Sequence, residues 1–335
     1  MKDYLSLVCI IKDEDNIEEF IMYYVLLGVT KIYIYDNESS WKLKERLNLP
    51  FFNYYCKIID FPGKCQQLNA YNDCLKNYGH LTKWLIVVDG DEFILPKTTF
   101  GLPEFLIQHE DKHALAINWV VFGTSFHNNK QSGYLVDNYR YCQNCQYNHI
   151  KVIVQPPYII EFINPHFAKM VDDSKFRDCK NNLITLLALN NNYTVDIIQI
   201  NHYTHKSLEE SIEKHYRGNA DSHNRRDIPN KSLHDSYNDI KDDLLPNKYL
   251  DLIKKMNNLL HVNLEIFKTL NNDLSLNNEE ETIQYLFRKC IYENRPLHIQ
   301  DKFPEFNREK YRKKNPEFNY LDDVWLEIKY IISKQ

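Results

Sequence analysis

Three acids, Asp89, Asp91 and Glu92, close the apolar run in KWLIVVDGDEFI, residues 83–94. Side chains two apart in an extended chain share a face, so Asp89 and Asp91 aim at one point while Glu92 turns away. Gly90 between them leaves the backbone free to approach a ligand. Two convergent carboxylates repel, and one protonates unless a cation lies between them. Mg2+ or Mn2+ accepts such hard oxygen ligands and keeps positions open for phosphate oxygens and water. The same residues also suit a plain turn in which an Asp caps the next segment. The acids alone do not choose between the two.

The surrounding pattern says what positions them. YLSLVCII (4–11), KIYIYD (31–36), YCKIIDF (55–61) and KWLIVVD (83–89) read as short β-rich runs. Between the first two, DEDNIEEFIMYYVLLG reads as a helix, with Asp15 placed to cap, Glu18 three residues later, Ile17, Ile21, Tyr24 and Leu27 at helical spacing, and Gly28 as the stop. Residues 66–78 read as a second helix. Strand, helix, strand in this rhythm predicts a mostly parallel, Rossmann-like central sheet, covered on both faces. Ligands of such sheets bind outside the carboxyl ends of the strands. Asp36 and Asp89 both end strands, so both face one crevice.

Farther along, HALAINWVVFG (113–123), HIKVIVQPPYIIEFI (149–163) and YTVDIIQINHY (193–203) are strand-like. Residues 219–247 read as a polar loop, and 248–271, 279–294 and 320–333 have helical periodicity. The expected division is residues 1–225 as an α/β domain and 226–335 as a helical C-terminal extension. The basic run REKYRKK (308–314) reads as solvated surface. P-loop, GxGxxG, GxSxG and HExxH patterns do not occur.

Composition narrows the partners. At 335 residues with 43% apolar side chains, the chain can bury a sizeable core, and a net charge of −5 gives no reason to expect nucleic acid. The longest apolar run, FIMYYVLLGV (20–29), is about half of the ~20 residues that cross a bilayer, so no transmembrane segment is expected. The first residues lack the basic and apolar segments of a signal peptide, and eight cysteines suit a reducing compartment, which together suggest a cytoplasmic location. Cys142 and Cys145 have the spacing of half a zinc site, but without a second pair they read as ordinary thiols.

Five motifs in order carry a resemblance. VCIIKDEDNIEEFIMYYVLLGVTKIYIYDNESS (8–40) resembles the opening of glycosyltransferase family 92 and its family-2-like relatives. WLIVVDGDEFI (84–94) looks like their D-x-D-E-F motif, and WVVFG (119–123) like their W-x-x-F-G segment. KVIVQP (151–156) followed by His166, and NHYTHKSLEESIEKHYRGNA (201–220), are similar to two further blocks of that family. Asp13 stands where Asn is usual, and the helical tail lies outside the resemblance.

What the resemblance implies is a GT-A fold and a metal-dependent transfer of a hexose or N-acetylhexosamine from a nucleotide-sugar to a glycan or glycoprotein. Asp89 and Asp91 would hold Mn2+ or Mg2+ and, through it, the diphosphate, with His202 as a late third ligand. Asp36, with Asn37 beside it, would meet the base, and an imide N–H there favours UDP; Ile11, Lys12 and Glu14 would line the nucleotide. Lys206 and Arg217 would offset charge on the departing diphosphate, with Lys214 a further candidate. Such relatives mostly invert the anomeric centre, which needs a general base. Asp172 is the leading candidate for it, beside Asp173, Glu161 and His127, while Trp119, Phe122 and His166 are candidates to shape the sugar or acceptor pocket. Two other readings stay open. A sugar nucleotidyltransferase would share the sheet and paired Asp, but IIKDEDN is acidic where such enzymes carry a Gly-rich basic loop. A non-catalytic glycan-binding protein would show a broken D-x-D or lack His202, and both are intact.

Overall fold

The structure, a computed structural model, describes residues 2–217, 235–293, 295–318 and 321–334. The chain folds as two compact units, one of residues 1–48 with 55–253 and the other of residues 49–54 with 254–335.

In the first unit the expected β-rich runs become β1 (Asp3–Ile11), β2 (Lys31–Asp36), β3 (Cys56–Asp60) and β4 (Thr82–Val87). They are followed by β5 (Glu92–Pro96), β6 (Ala114–Val121), β7 (Tyr141–Cys142) and β8 (Ile150–Val154). Pro156 and Pro157 break the run expected over 149–163, because proline cannot donate to a ladder. The chain resumes as β9 (Ile159–Asn164), which forms a hairpin with β10 (Phe167–Met170). β11 (Phe176–Asp178), β12 (Ile198–His202) and β13 (Ile240–Lys241) complete the strands.

Nine strands form the central sheet, in the order β3-β2-β1-β4-β8-β6-β12-β5, with β11 beside the start of β6. Strands β1 to β4 are mutually parallel, as are β6, β11 and β12; β8 and β5 run the other way. This is the mainly parallel α/β class expected of a GT-A fold. The sheet aligns Ile11 with Asp36, Asp36 with Asp60, and His202 with both Val121 and Glu92. One edge therefore gathers the carboxyl ends of β1, β2, β4, β6 and β12, together with the start of β5.

The helix Ile17–Leu26 is buried nearly all round. Its expected cap does not form: Asn16 occupies the cap position without a side-chain bond, and the Asp15 carboxylate pairs with Lys130 instead. The buried helix face and the sheet share a core that includes Tyr23, Tyr24 and Phe93.

In the second unit, the helices Leu264–Leu270, Glu279–Arg288, Arg308–Lys314 and Asp323–Lys334 surround a core of Ile266, Leu270, Ile299, Phe306, Ile328, Tyr330 and Ile331. Phe51 packs on Phe287 with centroids 4.4 Å apart, so residues 49–54 belong to it. In the basic run, Arg308 and Arg312 both pair with Asp323 at 3.0 Å. Among the described residues, no helix is long and apolar enough to cross a membrane.

Candidate active site

The turn between β4 and β5 lifts Asp89 and Asp91 onto the carboxyl edge of the sheet. Gly90 makes the turn fit: a Cβ there would stand 3.1 Å from Ile11 Cγ2 and 3.2 Å from Glu14 Cγ. The space expected for a ligand beside Gly90 is thus filled by the end of β1 and the loop after it.

Asp89 faces the sheet. Its Oδ1 accepts from Gln67 Nε2 at 2.6 Å and Tyr71 Oη at 3.0 Å, both on the helix Gln67–Tyr78, and lies 3.0 Å from Lys151 Nζ on β8. Asp91 faces the other way. Its Oδ2 accepts from Lys214 Nζ at 2.6 Å, and its Oδ1 lies 3.5 Å from His202 Nε2. Glu92 is fully buried; its Oε2 accepts from the Asp89 backbone N–H at 2.8 Å and lies 3.7 Å from Lys151.

Burial alone would push all three carboxyls up. At Asp91 the Lys214 ammonium and the His202 ring outweigh burial and hold the carboxyl well below its usual range. At Asp89, Lys151 likewise outweighs burial and draws the value down. At Glu92 burial wins, even against Lys151, and the carboxyl is pushed well above its usual range. Three neighbouring acids are thereby pulled in two directions, the two aspartates down by their cations and the buried glutamate up by its burial. That division lets carboxylates crowd the end of a buried strand.

The loops beside them are tied together. Asp13 has a left-handed backbone (φ 50°), its N–H donates to Ser39 Oγ, and its Oδ1 accepts from Ser40 N and Oγ. Asp36 spends Oδ1 on the Ser39 N–H, and Asn37 Nδ2 donates to the carbonyls of Phe61 and Gly63 at 2.8 Å each. Asn37 is therefore a brace between loops. Lys206, also left-handed (φ 46°), donates to Glu14 Oε1 at 2.6 Å. A small open cleft is lined by Asp13, Glu14, Thr204, Lys206 and Lys214 among others.

The structure thus brings Asp89, Asp91, His202, Glu14, Lys206 and Lys214 together, with buried Ile11 beside Gly90 and with Lys12, Asp36 and Asn37 on the adjoining strand ends. Arg217 ends the helix Leu208–Arg217, but its side chain lies outside the described residues. Asp172 is not brought to this edge. β10 carries the chain away, and exposed Asp172 accepts from Ser174 N, next to Lys175, whose carbonyl meets His113 at the start of β6. The edge that carries the acidic turn is at the other end of β6, about 23 Å away at about 3.3 Å per residue. The other candidates for the base also have different surroundings: Asp173 begins a short exposed turn, Glu161 is exposed on β9, and His127 Nε2 meets the Asn138 carbonyl at 3.1 Å. Phe122 packs in the core against Tyr203.

Lys151, Gln67 and Tyr71 escaped a reading of residue types. The signals available for Lys151 were its place at the head of KVIVQP and its being a single cation inside the apolar run IKVIV.

Five rings continue the site beyond Asp91. Trp119 packs on His202 (centroids 4.3 Å), on His166 (5.1 Å), on His149 (5.4 Å) and on Tyr147 (5.9 Å).

Among the described residues no three His, Cys, Asp or Glu side chains are preassembled to hold a metal ion. The donor chemistry nevertheless fits an open site. Two ligands about 2.1 Å from one octahedral ion lie about 3 Å apart, and Asp91 Oδ1 and His202 Nε2 are 3.5 Å apart. The buried His202 Nδ1 has no partner among the described residues. Magnesium-type sites commonly rest on one or two carboxylates and are completed by substrate phosphates and water.

Comparison with solved structures finds S. aureus TarS, residues 1–349, in complex with UDP, similar over 47% of this chain and 47% of that one, at 14% identity and a TM-score of 0.30. The chain thus spans about half the length of that structure. The same S. aureus protein in complex with UDP-GlcNAc is similar over 88% of this chain and 82% of that one, at 11% identity and a TM-score of 0.37. Comparison with curated proteins finds no match. The sequence profile of glycosyltransferase family 92 matches residues 7–241, a stretch that contains both cleft aspartates, Lys151, His202, Lys206 and Lys214. With more than two thirds of its length matched, the chain belongs to glycosyltransferase family 92.

Proposed function

We propose that the chain transfers a hexose or N-acetylhexosamine from a UDP-linked donor to a hydroxyl of a glycan or glycoprotein, with inversion at the anomeric carbon. The observation that carries this reading is Asp91, an ionised carboxylate shared between Lys214 and His202 at the mouth of a strand-end cleft.

Breaking the bond between sugar and diphosphate leaves negative charge on the departing oxygen. Groups that meet this charge must be in place before it forms. Lys206 and Lys214 line the cleft and are held by Glu14 and Asp91, so a diphosphate can exchange with these carboxylates for their ammonium groups. Asp91 and His202, with the outer oxygen of Asp89, are the residues that would hold Mn2+ or Mg2+. Such an ion, when bound, supplies further positive charge to the leaving diphosphate. The second oxygen of Asp36 is the group left to meet a uracil N–H. The proton of the acceptor hydroxyl goes to a base on this edge, and Asp172 lies away from it.

The test is turnover of UDP-sugars on a glycan panel with and without Mn2+, for wild type and Asp91→Ala, with product anomers read by NMR. Loss of turnover in the variant, with its fold intact, is expected. Full turnover by Asp91→Ala would overturn the assignment, and a retained anomer would overturn the stereochemistry.

A further inference from the structure

We propose that Trp119, His166 and His202 hold the sugar ring of the donor, and that this pocket accepts a neutral hexose or N-acetylhexosamine and rejects a hexuronic acid. The inference rests on the nucleotide-sugar reading above and adds the part of the donor which that reading leaves unplaced.

Position comes first. His202 stands 3.5 Å from Asp91, and Trp119 packs on His202 with centroids 4.3 Å apart. A diphosphate at Asp91 puts the next atom of the donor, the anomeric carbon, one side chain farther on. That is where the rings are.

Unmet hydrogen bonds come second. Trp119 is 8% exposed, and its buried Nε1–H has no partner among the described residues; His202 is equally buried, and its Nδ1 is also without one. An indole nitrogen only donates, and a buried donor without an acceptor is costly. Two such atoms on a contacting pair of residues, one of them a fixed donor, call for a ligand that brings hydrogen-bonding groups of its own. Sugar hydroxyls both accept and donate.

His166 supplies the opposite polarity. Its Nδ1 lies 2.8 Å from the Ile150 carbonyl oxygen, so Nδ1–H donates there and Nε2 is left as an acceptor. Burial and the nearby Lys151 charge push this imidazole down to about 4, which keeps it neutral near physiological pH. The pocket thus offers donors, an acceptor and aromatic faces, the mixture that small-molecule sites use to fix a polar ring.

Charge decides the class of sugar. Lys151 is the cation near His166, and it is 1% exposed and held between Asp89 and Glu92. A uronate carboxylate placed among these rings would lose water without gaining a counter-ion.

The experiment measures binding of UDP, UDP-glucose, UDP-GlcNAc and UDP-glucuronate in the presence of Mn2+ by calorimetry. It compares wild type, Trp119→Phe, which keeps a ring and removes the N–H, and His166→Phe, which removes the acceptor. The expected result is an affinity for the preferred neutral UDP-sugar about tenfold weaker in each variant, with the affinity for UDP unchanged, and no tighter binding of UDP-glucuronate than of UDP. If one variant fails to fold, the other still reads the pocket. Absence of UDP binding by wild type would overturn the nucleotide-sugar reading and this pocket with it. UDP binding with either folded variant indifferent to the sugar would overturn the pocket alone. So would wild-type protein that binds UDP-glucuronate as tightly as UDP-glucose. A free methyl glycoside that binds with UDP present and loses affinity in the folded variants, while UDP-sugars do not, would give the rings to the acceptor and overturn the proposal.

Discussion

Lys151 Nζ lies 3.0 Å from Asp89 Oδ1 at the start of β8, with 1% of its side chain exposed. The contact is a buried ion pair. The register explains why it exists: β8 runs antiparallel to β4 and pairs Val152 with Val87, two residues before Asp89. An antiparallel strand inserted into a parallel sheet thus delivers a fixed cation under the acidic turn. Asp89 answers to a cation in the wall, Asp91 to one on the helix Leu208–Arg217.

Removing the wall cation strands a carboxylate. Lys151→Met keeps the volume but leaves Asp89 without its buried partner, and breaking such a pair costs about 3–5 kcal/mol. Urea denaturation should show a loss of this size, with Lys151→Met/Asp89→Asn regaining most of it. A loss below about 1 kcal/mol would mean that Asp89 is supported by Gln67 and Tyr71 alone.

The second cation competes for its carboxylate. Lys214 Nζ is 2.6 Å from the Asp91 oxygen that a metal ion would also attract. Lys214→Met should therefore bind Mn2+ alone more tightly than wild type, while turnover of a UDP-sugar falls by about 10²–10³. Titration of the manganese EPR signal checks the first, steady-state kinetics the second. Weakening of both together would make Lys214 a support for Asp91 only.

These predictions show where the sequence could be read and where it could not. The acidic turn and its place on the sheet follow from local pattern, since apolar runs separated by a helix mean parallel strands whose ends align. Lys151, Gln67 and Tyr71 reach Asp89 only through strand order and helix packing, which no local spacing encodes. The position of Asp172 was hidden for the same reason. It follows His166 by six positions, but β10 lies between them and carries the chain from the ring cluster toward the start of β6. The cap expected from Asp15 failed because Lys130, distant in sequence, claims its carboxylate.

The glycine of WVVFG is a packing requirement. A Cβ on Gly123 would stand 2.4 Å from Asn238 Oδ1 and 2.7 Å from the Tyr237 carbonyl oxygen. Asn238 cannot withdraw cheaply, because Oδ1 accepts from Ser125 N at 2.8 Å and Nδ2 donates to Thr124 Oγ1 at 3.0 Å. Gly123→Ala should lose about 1–3 kcal/mol to overpacking, read as a lower thermal midpoint. An unchanged midpoint would mean that the segment around Tyr237 shifts freely.

A buried acid outside the cleft gives the pH dependence. Glu19 accepts from the backbone N–H of Leu135 at 2.6 Å and of Val136 at 3.1 Å, yet burial outweighs both and pushes its carboxyl from 4.5 up to about 7. The folded state therefore holds a proton that the unfolded chain has already released. The stability this gives is complete below about 4.5 and is lost as the pH rises through about 7. At about 1.4 kcal/mol per pH unit the loss approaches about 3 kcal/mol. Glu19→Gln does not titrate there, so its stability relative to wild type should improve by that amount across the window. His109 and His166, both pushed down to about 4, act in the opposite sense in both proteins and cancel in the difference. Denaturation curves of the two proteins at several pH values give the difference directly, and a flat one would show that the two N–H donors keep Glu19 ionised throughout.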